Sequence, residues 1–240
     1  MRTDAIIAAA GKGQRMGGKV KKQFISLNGI PLLVYTLRAF EGFDGIGHVY
    51  LVLDEGDFDY CQGEIIQKYG ITKVVQLVAG GEHRQDSVWN GLKAMEGRCD
   101  VAIVHDGARP FVSHAIIKRL MAAMKDVQAA VTGVPARDTI KRVDERGEVL
   151  DTLRRDTLFH IQTPQGFRYD VIKEAYERAF REGIRGTDDA YLVERMGIQV
   201  KVIEGSPFNI KITSPEDISL AHCILEVGKF DWRESQWPVR

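Results

Sequence analysis

The stretch Ala5-Ile6-Ile7-Ala8-Ala9-Ala10-Gly11-Lys12-Gly13-Gln14-Arg15-Met16-Gly17-Gly18 decides the fold. A short apolar run, Ala5 to Ala10, passes directly into a loop of glycines and cations, which reads as a buried parallel strand ending at an anion cradle. Glycines there let the backbone approach a phosphate and present N–H groups to it. Two common loops nearly match, and both fail. A dinucleotide fingerprint GxGxxG needs glycine where Met16 stands. It also needs an acidic residue about 20 positions on, and the next strand-like run closes only at Asp54. A Walker A loop needs Ser or Thr after GxxxxGK, and Gly13 to Lys19 is followed by Val20. What is left is a glycine loop carrying Lys12, Arg15, Lys19, Lys21 and Lys22, five cations within eleven residues. Such crowding of like charge calls for an anion or for solvent to screen it. A triphosphate is the natural polyanion; from these residues alone, a solvated basic loop is the alternative.

Outward from this loop, apolar runs alternate with amphipathic stretches. Strand-like runs are His48 to Leu53, Thr72 to Val78, Val101 to Val104, Ala129 to Val134 and Gln199 to Ile203. Between them the pattern predicts helices over Leu32–Phe40, Asp86–Met95, Ser113–Lys125, Tyr169–Glu182 and Asp188–Met196, with a last helix from Ser214 and Pro215 in its first turn. This is the βαβ rhythm of an α/β domain with a mostly parallel sheet flanked by helices. Thr139 to Leu153 breaks the rhythm as two charged short strands around Asp144-Glu145-Arg146-Gly147, either a projecting hairpin arm or an edge hairpin. With no linker or repeat, residues 1–240 are expected to form a single domain.

Composition narrows the functional classes. Lys plus Arg equals Asp plus Glu at 33 each, so no global field draws the chain to nucleic acid or to a membrane. The three cysteines, Cys61, Cys99 and Cys223, have neither zinc-site nor disulfide spacing and read as free thiols in a reducing compartment. The first apolar run is too short for a signal-peptide core or a bilayer span. A cytoplasmic protein is expected. The six histidines show no metal-site spacing, and His105 reads as a structural residue beside the site.

Four further clusters are specific. They are Ala79-Gly80-Gly81-Glu82-His83-Arg84-Gln85-Asp86-Ser87, Val104-His105-Asp106-Gly107-Ala108-Arg109-Pro110, Thr187-Asp188-Asp189-Ala190 with Thr187 read as a helix cap, and Phe208-Asn209-Ile210-Lys211-Ile212-Thr213-Ser214-Pro215-Glu216-Asp217 with Lys211 alone in a strand-like run. With Ala9-Ala10-Gly11, Arg15-Met16 and Lys22-Gln23-Phe24, the chain resembles the 2-C-methyl-D-erythritol 4-phosphate cytidylyltransferase family of isoprenoid biosynthesis from about Ile6 to Leu225. The related ribitol-5-phosphate cytidylyltransferases share much of this pattern; Asp138-Thr139-Ile140-Lys141-Arg142 and Thr187-Asp188-Asp189-Ala190 favour the methylerythritol branch. A catalytically silent nucleotide-binding homologue is a further alternative, against which the intact set of Arg15, Lys22, Asp106 and Lys211 speaks.

The resemblance implies a Rossmann-like nucleotidyltransferase domain whose β-arm, about residues 137–158, reaches across a homodimer. It implies attack by a sugar-alcohol phosphate oxygen on the α-phosphorus of CTP, with pyrophosphate leaving. Arg15, Lys22, Arg155 and Lys211 are the implied catalytic residues: the first two at the α-phosphate, Lys211 and Arg155 at the incoming phosphate, with Arg155 (or its neighbour Arg154) entering the partner's site. Ala9, Ala10, Gly11, Gly13, Gly81, Glu82, Ser87 and Gly107 are implied for CTP, and Asp106, Arg109, Thr139 and Thr187 for the acceptor side. Asp106 is also the implied magnesium-linked carboxylate, and Mg2+ the expected metal. Many relatives carry proline where Lys21 stands, so Lys21 is a possible competitor of Lys22.

Overall fold

The computed structural model describes residues 1–11 and 21–226. In chain order the strands are β1 Thr3–Ala8, β2 Ser26–Leu27, β3 Ile30–Pro31, β4 Val49–Leu53, β5 Val74–Ala79, β6 Val101–Asp106, β7 Ala129–Pro135, β8 Lys141–Val143, β9 Val149–Thr152, β10 Phe159–Arg168 and β11 Lys201–Glu204. The helices are α1 Leu32–Glu41, α2 Phe58–Tyr60, α3 Arg84–Ala94, α4 His114–Ala123, α5 Tyr169–Arg181, α6 Asp189–Glu194 and α7 Pro215–Glu226; α2 runs on as a π-helical stretch, Cys61–Gln67.

Among the described residues one seven-stranded sheet has the order β11-β7-β10-β6-β1-β4-β5. All its pairings are parallel except those of β10, which lies antiparallel to β6 and β7. Strand β1 lies inside the sheet between β6 and β4, and alternation fixes its two faces. Ala5 and Ile7 join one buried cluster with Leu33, Phe40, Ile65 and Ile116 from α1, the π-helical stretch and α4. Ile6 joins the other with Val88, Ile172, Tyr176 and Val193 from α3, α5 and α6. A satellite cluster of Leu27, Leu32, Phe111, Ile212 and Ala221 seats α7 against β2 and α1. The chain therefore winds outward from β1 in both directions. Open sheets of this kind take ligands beyond the strands' carboxyl ends at that switch point.

The α/β class and the mostly parallel sheet agree with the pattern in the sequence. So does the hairpin: β8 and β9 pair with each other as a separate sheet, and Gly147 turns at φ 82°. Val149 and Leu150 are 58% and 60% exposed there, so this is a projecting arm and not an edge hairpin.

Several expectations need correction. Strand β10 reads poorly in sequence because Pro164 and Gly166 sit in it, residues that weaken a strand; the register is broken between Gln162 and Gln165. The β2–β3 hairpin turns at Asn28-Gly29, with φ 50° and 80°, a two-residue turn signal that the reading did not use. The helical stretch after Asp54 was also not anticipated. The cap of α6 is Asp188, which accepts from the Tyr191 N–H; Thr187 is exposed and outside the helix. Lys211 lies in no strand, although Ile212 N–H still donates to Ala108 O at 2.9 Å.

Candidate active site

The carboxyl ends of β1, β4, β5 and β6 open into a cavity of about 890 Å³. Register brings the ends together: Ala8 stands beside Asp106. Beyond the strands, Ala9 N–H donates to Val52 O at 2.8 Å, Gly107 N–H to Ala8 O at 2.9 Å and Gly80 N–H to Leu53 O at 2.7 Å. Close approach at these ends requires glycine. A Cβ on Gly80 would stand 2.3 Å from the Ala10 Cβ, and one on Gly107 2.8 Å from the Ala9 Cβ.

Lys22, Ala9, Ala10, Gly11, Gly81, Glu82, Ser87, Asp106 and Lys211 all line this cavity, so most of the residues expected for nucleotide and catalysis converge on one place. Arg15 and Gly13 lie outside the described residues. The Lys22 stem folds back over the start of the glycine loop, with its Cε 3.9 Å from where a Gly11 Cβ would sit. Ser87 Oγ accepts from Gly81 N–H at 3.0 Å and donates to His83 O at 3.1 Å, fastening the Gly-Gly turn to α3. Lys21 is not a rival of Lys22. Its ammonium is held by both Asp57 oxygens, at 2.9 and 2.8 Å, and stands 3.4 Å from Asp54.

Asp106 is buried and takes a cation on each oxygen: Arg84 Nε at 2.9 Å on Oδ1 and Lys211 Nζ at 2.7 Å on Oδ2. Burial alone would raise its pKa, but Arg84 and Lys211 outweigh that and hold the carboxyl far below the usual carboxylate range. It therefore stays ionised at neutral pH. Arg109 is mostly buried, gives Nη1 to Asn209 O at 2.8 Å and stands 3.9 Å from Asp106; it supports the floor and does not line the cavity. Gly107 is likewise buried and does not line the cavity.

His105 is fully buried, and its partners fix its tautomer. A carbonyl can only accept, so Nε2–H donates to Arg109 O at 3.1 Å. Nδ1 then accepts from the Thr163 hydroxyl at 3.1 Å, whose oxygen takes the Asp106 N–H at 3.0 Å. Burial pushes the imidazole pKa down to about 4. The ring is a neutral structural strut, as its place in the sequence suggested.

Arg155, Thr139 and Thr187 are exposed and do not line this cavity. Arg155 gives Nη1 to Arg137 O at 2.7 Å at the base of the arm, while Arg154 pairs with Asp156 at 2.9 Å.

The sequence reading missed two groups. Arg84 joins Asp106 to Asp189, which is 1% exposed and takes a two-pronged contact at 2.9 and 2.8 Å. A cation in the first turn of a helix opposes the helix dipole, and that misfit was the available signal. Gln23, 1% exposed, lines the cavity beside Lys22, and neither of its amide atoms has a hydrogen-bond partner among the described residues. Its place in the Lys22-Gln23-Phe24 motif was the available signal.

The family model for 2-C-methyl-D-erythritol 4-phosphate cytidylyltransferase matches residues 3–227. A curated protein of that name from Alkaliphilus metalliredigens is 46% identical over 232 residues, covering 97% of this chain and 96% of its own. One from Geotalea uraniireducens is 45% identical over 228 residues, covering 94% and 97%. The crystal structure of 4-diphosphocytidyl-2C-methyl-D-erythritol synthase from Anaerococcus prevotii matches with a TM-score of 0.84 at 32% identity, covering 94% of this chain and 98% of that one. Near full-length agreement in sequence and in fold has one meaning: this chain belongs to the 2-C-methyl-D-erythritol 4-phosphate cytidylyltransferase family.

Proposed function

We propose that the cavity at the ends of β1, β4, β5 and β6 is where this chain carries out its family's reaction. As a member of that family the chain is a CTP-dependent nucleotidyltransferase, which joins the cytidylyl group of CTP to 2-C-methyl-D-erythritol 4-phosphate and releases pyrophosphate. The observation that carries the assignment to this cavity is the pair of lysines, Lys22 and Lys211, lining a space floored by closely packed glycine and alanine backbone. No covalent intermediate is needed, so positioning and charge stabilisation carry the catalysis. Lys22 faces the α-phosphate over Gly11, with Arg15 from the same loop. Lys211, held by one oxygen of Asp106, keeps N–H donors for the acceptor phosphate. The Gly80 to Glu82 turn borders the base, and Ser87 holds that turn in place.

Mg2+ belongs to the reaction as a counter-charge for the triphosphate. Among the described residues no group of three His, Cys, Asp or Glu side chains gathers to hold a metal. Magnesium commonly takes one or two carboxylates and completes its shell with phosphate oxygens and water. Asp106 suits that role: it is an ionised oxygen donor on the cavity wall, and each oxygen has a lone pair beyond the one its cation uses.

The chain acts as a homodimer through its arm, with Arg155 serving the neighbouring cavity. Two facts support this: the arm exposes Val143, Val149 and Leu150, and Arg155 does not line the cavity of its own chain. No helix among the described residues is long and apolar enough to cross a membrane. The free cysteines suit a reducing, cytoplasmic setting.

Pyrophosphate release from CTP and Mg2+, with methylerythritol 4-phosphate and ribitol 5-phosphate offered in parallel, tests the reading. Turnover with the first alone is expected. Turnover with ribitol 5-phosphate alone moves the chain to the sister activity, and turnover with neither removes the catalytic reading.

A further inference from the structure

Arg84 stands at the first position of α3 and lines the cavity, yet among the described residues its three side-chain hydrogen bonds all go inward to carboxylates. Nε reaches Asp106 Oδ1 at 2.9 Å, and Nη1 and Nη2 reach the two oxygens of Asp189 at 2.9 and 2.8 Å. Asp189 is buried at the start of α6 and also accepts from the Tyr176 hydroxyl. Tyr176 is itself buried in α5 and stacked on Trp89 of α3, with ring centroids 6.0 Å apart and planes at 10°. Three helices therefore fix the far end of the guanidinium. At the other end is Lys211, on a segment outside any helix or strand, whose ammonium takes the remaining oxygen of Asp106 at 2.7 Å.

We propose that Arg84 is a positioning residue for cytidylyl transfer: it ties Asp106 to the buried Asp189 and so sets where the Lys211 ammonium stands in the cavity. The proposal rests on the reading of this cavity as the reaction site. A carboxylate with one oxygen pinned presents the other in one direction, and a long lysine side chain follows it. The planar fork of arginine is what makes this possible. A lysine at the same place would keep the charge but could not hold two carboxylates at fixed angles. Misplacing a reacting group by about 1 Å costs on the order of a hundredfold in rate.

The test compares wild type with Arg84→Lys, Asp189→Asn and the double variant in steady-state kinetics, each assayed well below its own melting temperature. Arg84→Lys is expected to lower kcat by on the order of ten- to a hundredfold while the KM for CTP stays within about threefold. Asp189→Asn is expected to do the same. The double variant should fall no further than the worse single one, because both act through one chain of contacts. Wild-type kcat in folded Arg84→Lys overturns the proposal, as does a loss that tracks only the unfolded fraction. A rise in the KM for CTP with kcat unchanged also overturns it, since Arg84 would then be a nucleotide ligand. A wild-type protein that turns over neither acceptor removes the site reading first, and this inference with it.

Discussion

Lys211 is the residue on which the reading of the acceptor side depends. Its ammonium is 2.7 Å from Asp106, and the residue lines the cavity. Removing one well-aimed donor from such a site costs about 3–4 kcal/mol of barrier. Lys211→Ala is therefore expected to lower kcat by two to three orders of magnitude while titration calorimetry still shows CTP binding. A variant with near wild-type turnover refutes the assignment. His105 makes a separate, thermodynamic prediction. Its folded pKa is about 4, below the ordinary 6.5, so between those values the unfolded chain binds the extra proton and the folded chain does not. Stability is then intact above about pH 6.5 and falls as pH drops towards 4, by at most about 3 kcal/mol from this group. Asp106 starts to add to the loss only near pH 4, where the unfolded carboxyl takes up a proton that the folded one refuses. Melting temperatures followed from pH 7 to pH 4.5 should fall steadily in wild type and more gently in His105→Gln, and parallel curves would remove His105 as the cause.

Among the elements, the turn after β5 carries the tightest steric condition. Gly80 is bonded to Leu53 O, and a Cβ on it would meet the Ala10 Cβ at 2.3 Å. Gly80→Ala should force β1's end and this turn apart, lowering stability by about 1–3 kcal/mol and raising the KM for CTP. Thermal melts and initial rates would show both effects, and an unchanged KM would detach the turn from nucleotide binding. The strands that place this turn were legible: β1, β4 and β6 are apolar runs buried on both faces, and such runs announce themselves. Strand β10 was not, because Pro164 and Gly166 interrupt its pattern while tertiary pairing to β6 and β7 still holds it. The site divides in the same way. Ala9 to Gly11, Gly81, Ser87, Asp106 and Lys211, which line the candidate cavity, were legible because they sit in short motifs between elements. The Arg84–Asp189 pair joins residues 105 positions apart, and only the packing of α3 against α5 and α6 reveals it.

At the scale of the whole molecule, the arm bears on the proposal that two chains make one working site. β8 and β9 leave Val143, Val149 and Leu150 uncovered, and Phe159 and Ile161 are also exposed at the start of β10. Arg155 sits at the arm's base, bonded to Arg137 O and not lining its own cavity. If the arm crosses to a second copy, a symmetric pair exchanges Arg155 residues, each completing the site that holds the other's Lys211. Arg155→Ala and Lys211→Ala should then each be nearly inactive alone. Denatured, mixed in equal amounts and refolded, they should recover activity. Half of the dimers would be mixed, and each mixed dimer would have one site with both cations, giving about a quarter of the wild-type rate. Sedimentation of the refolded mixture must show dimers for the comparison to count. If Arg155 served its own chain, no mixed dimer could assemble a complete site, and the mixture would stay as inactive as its parts.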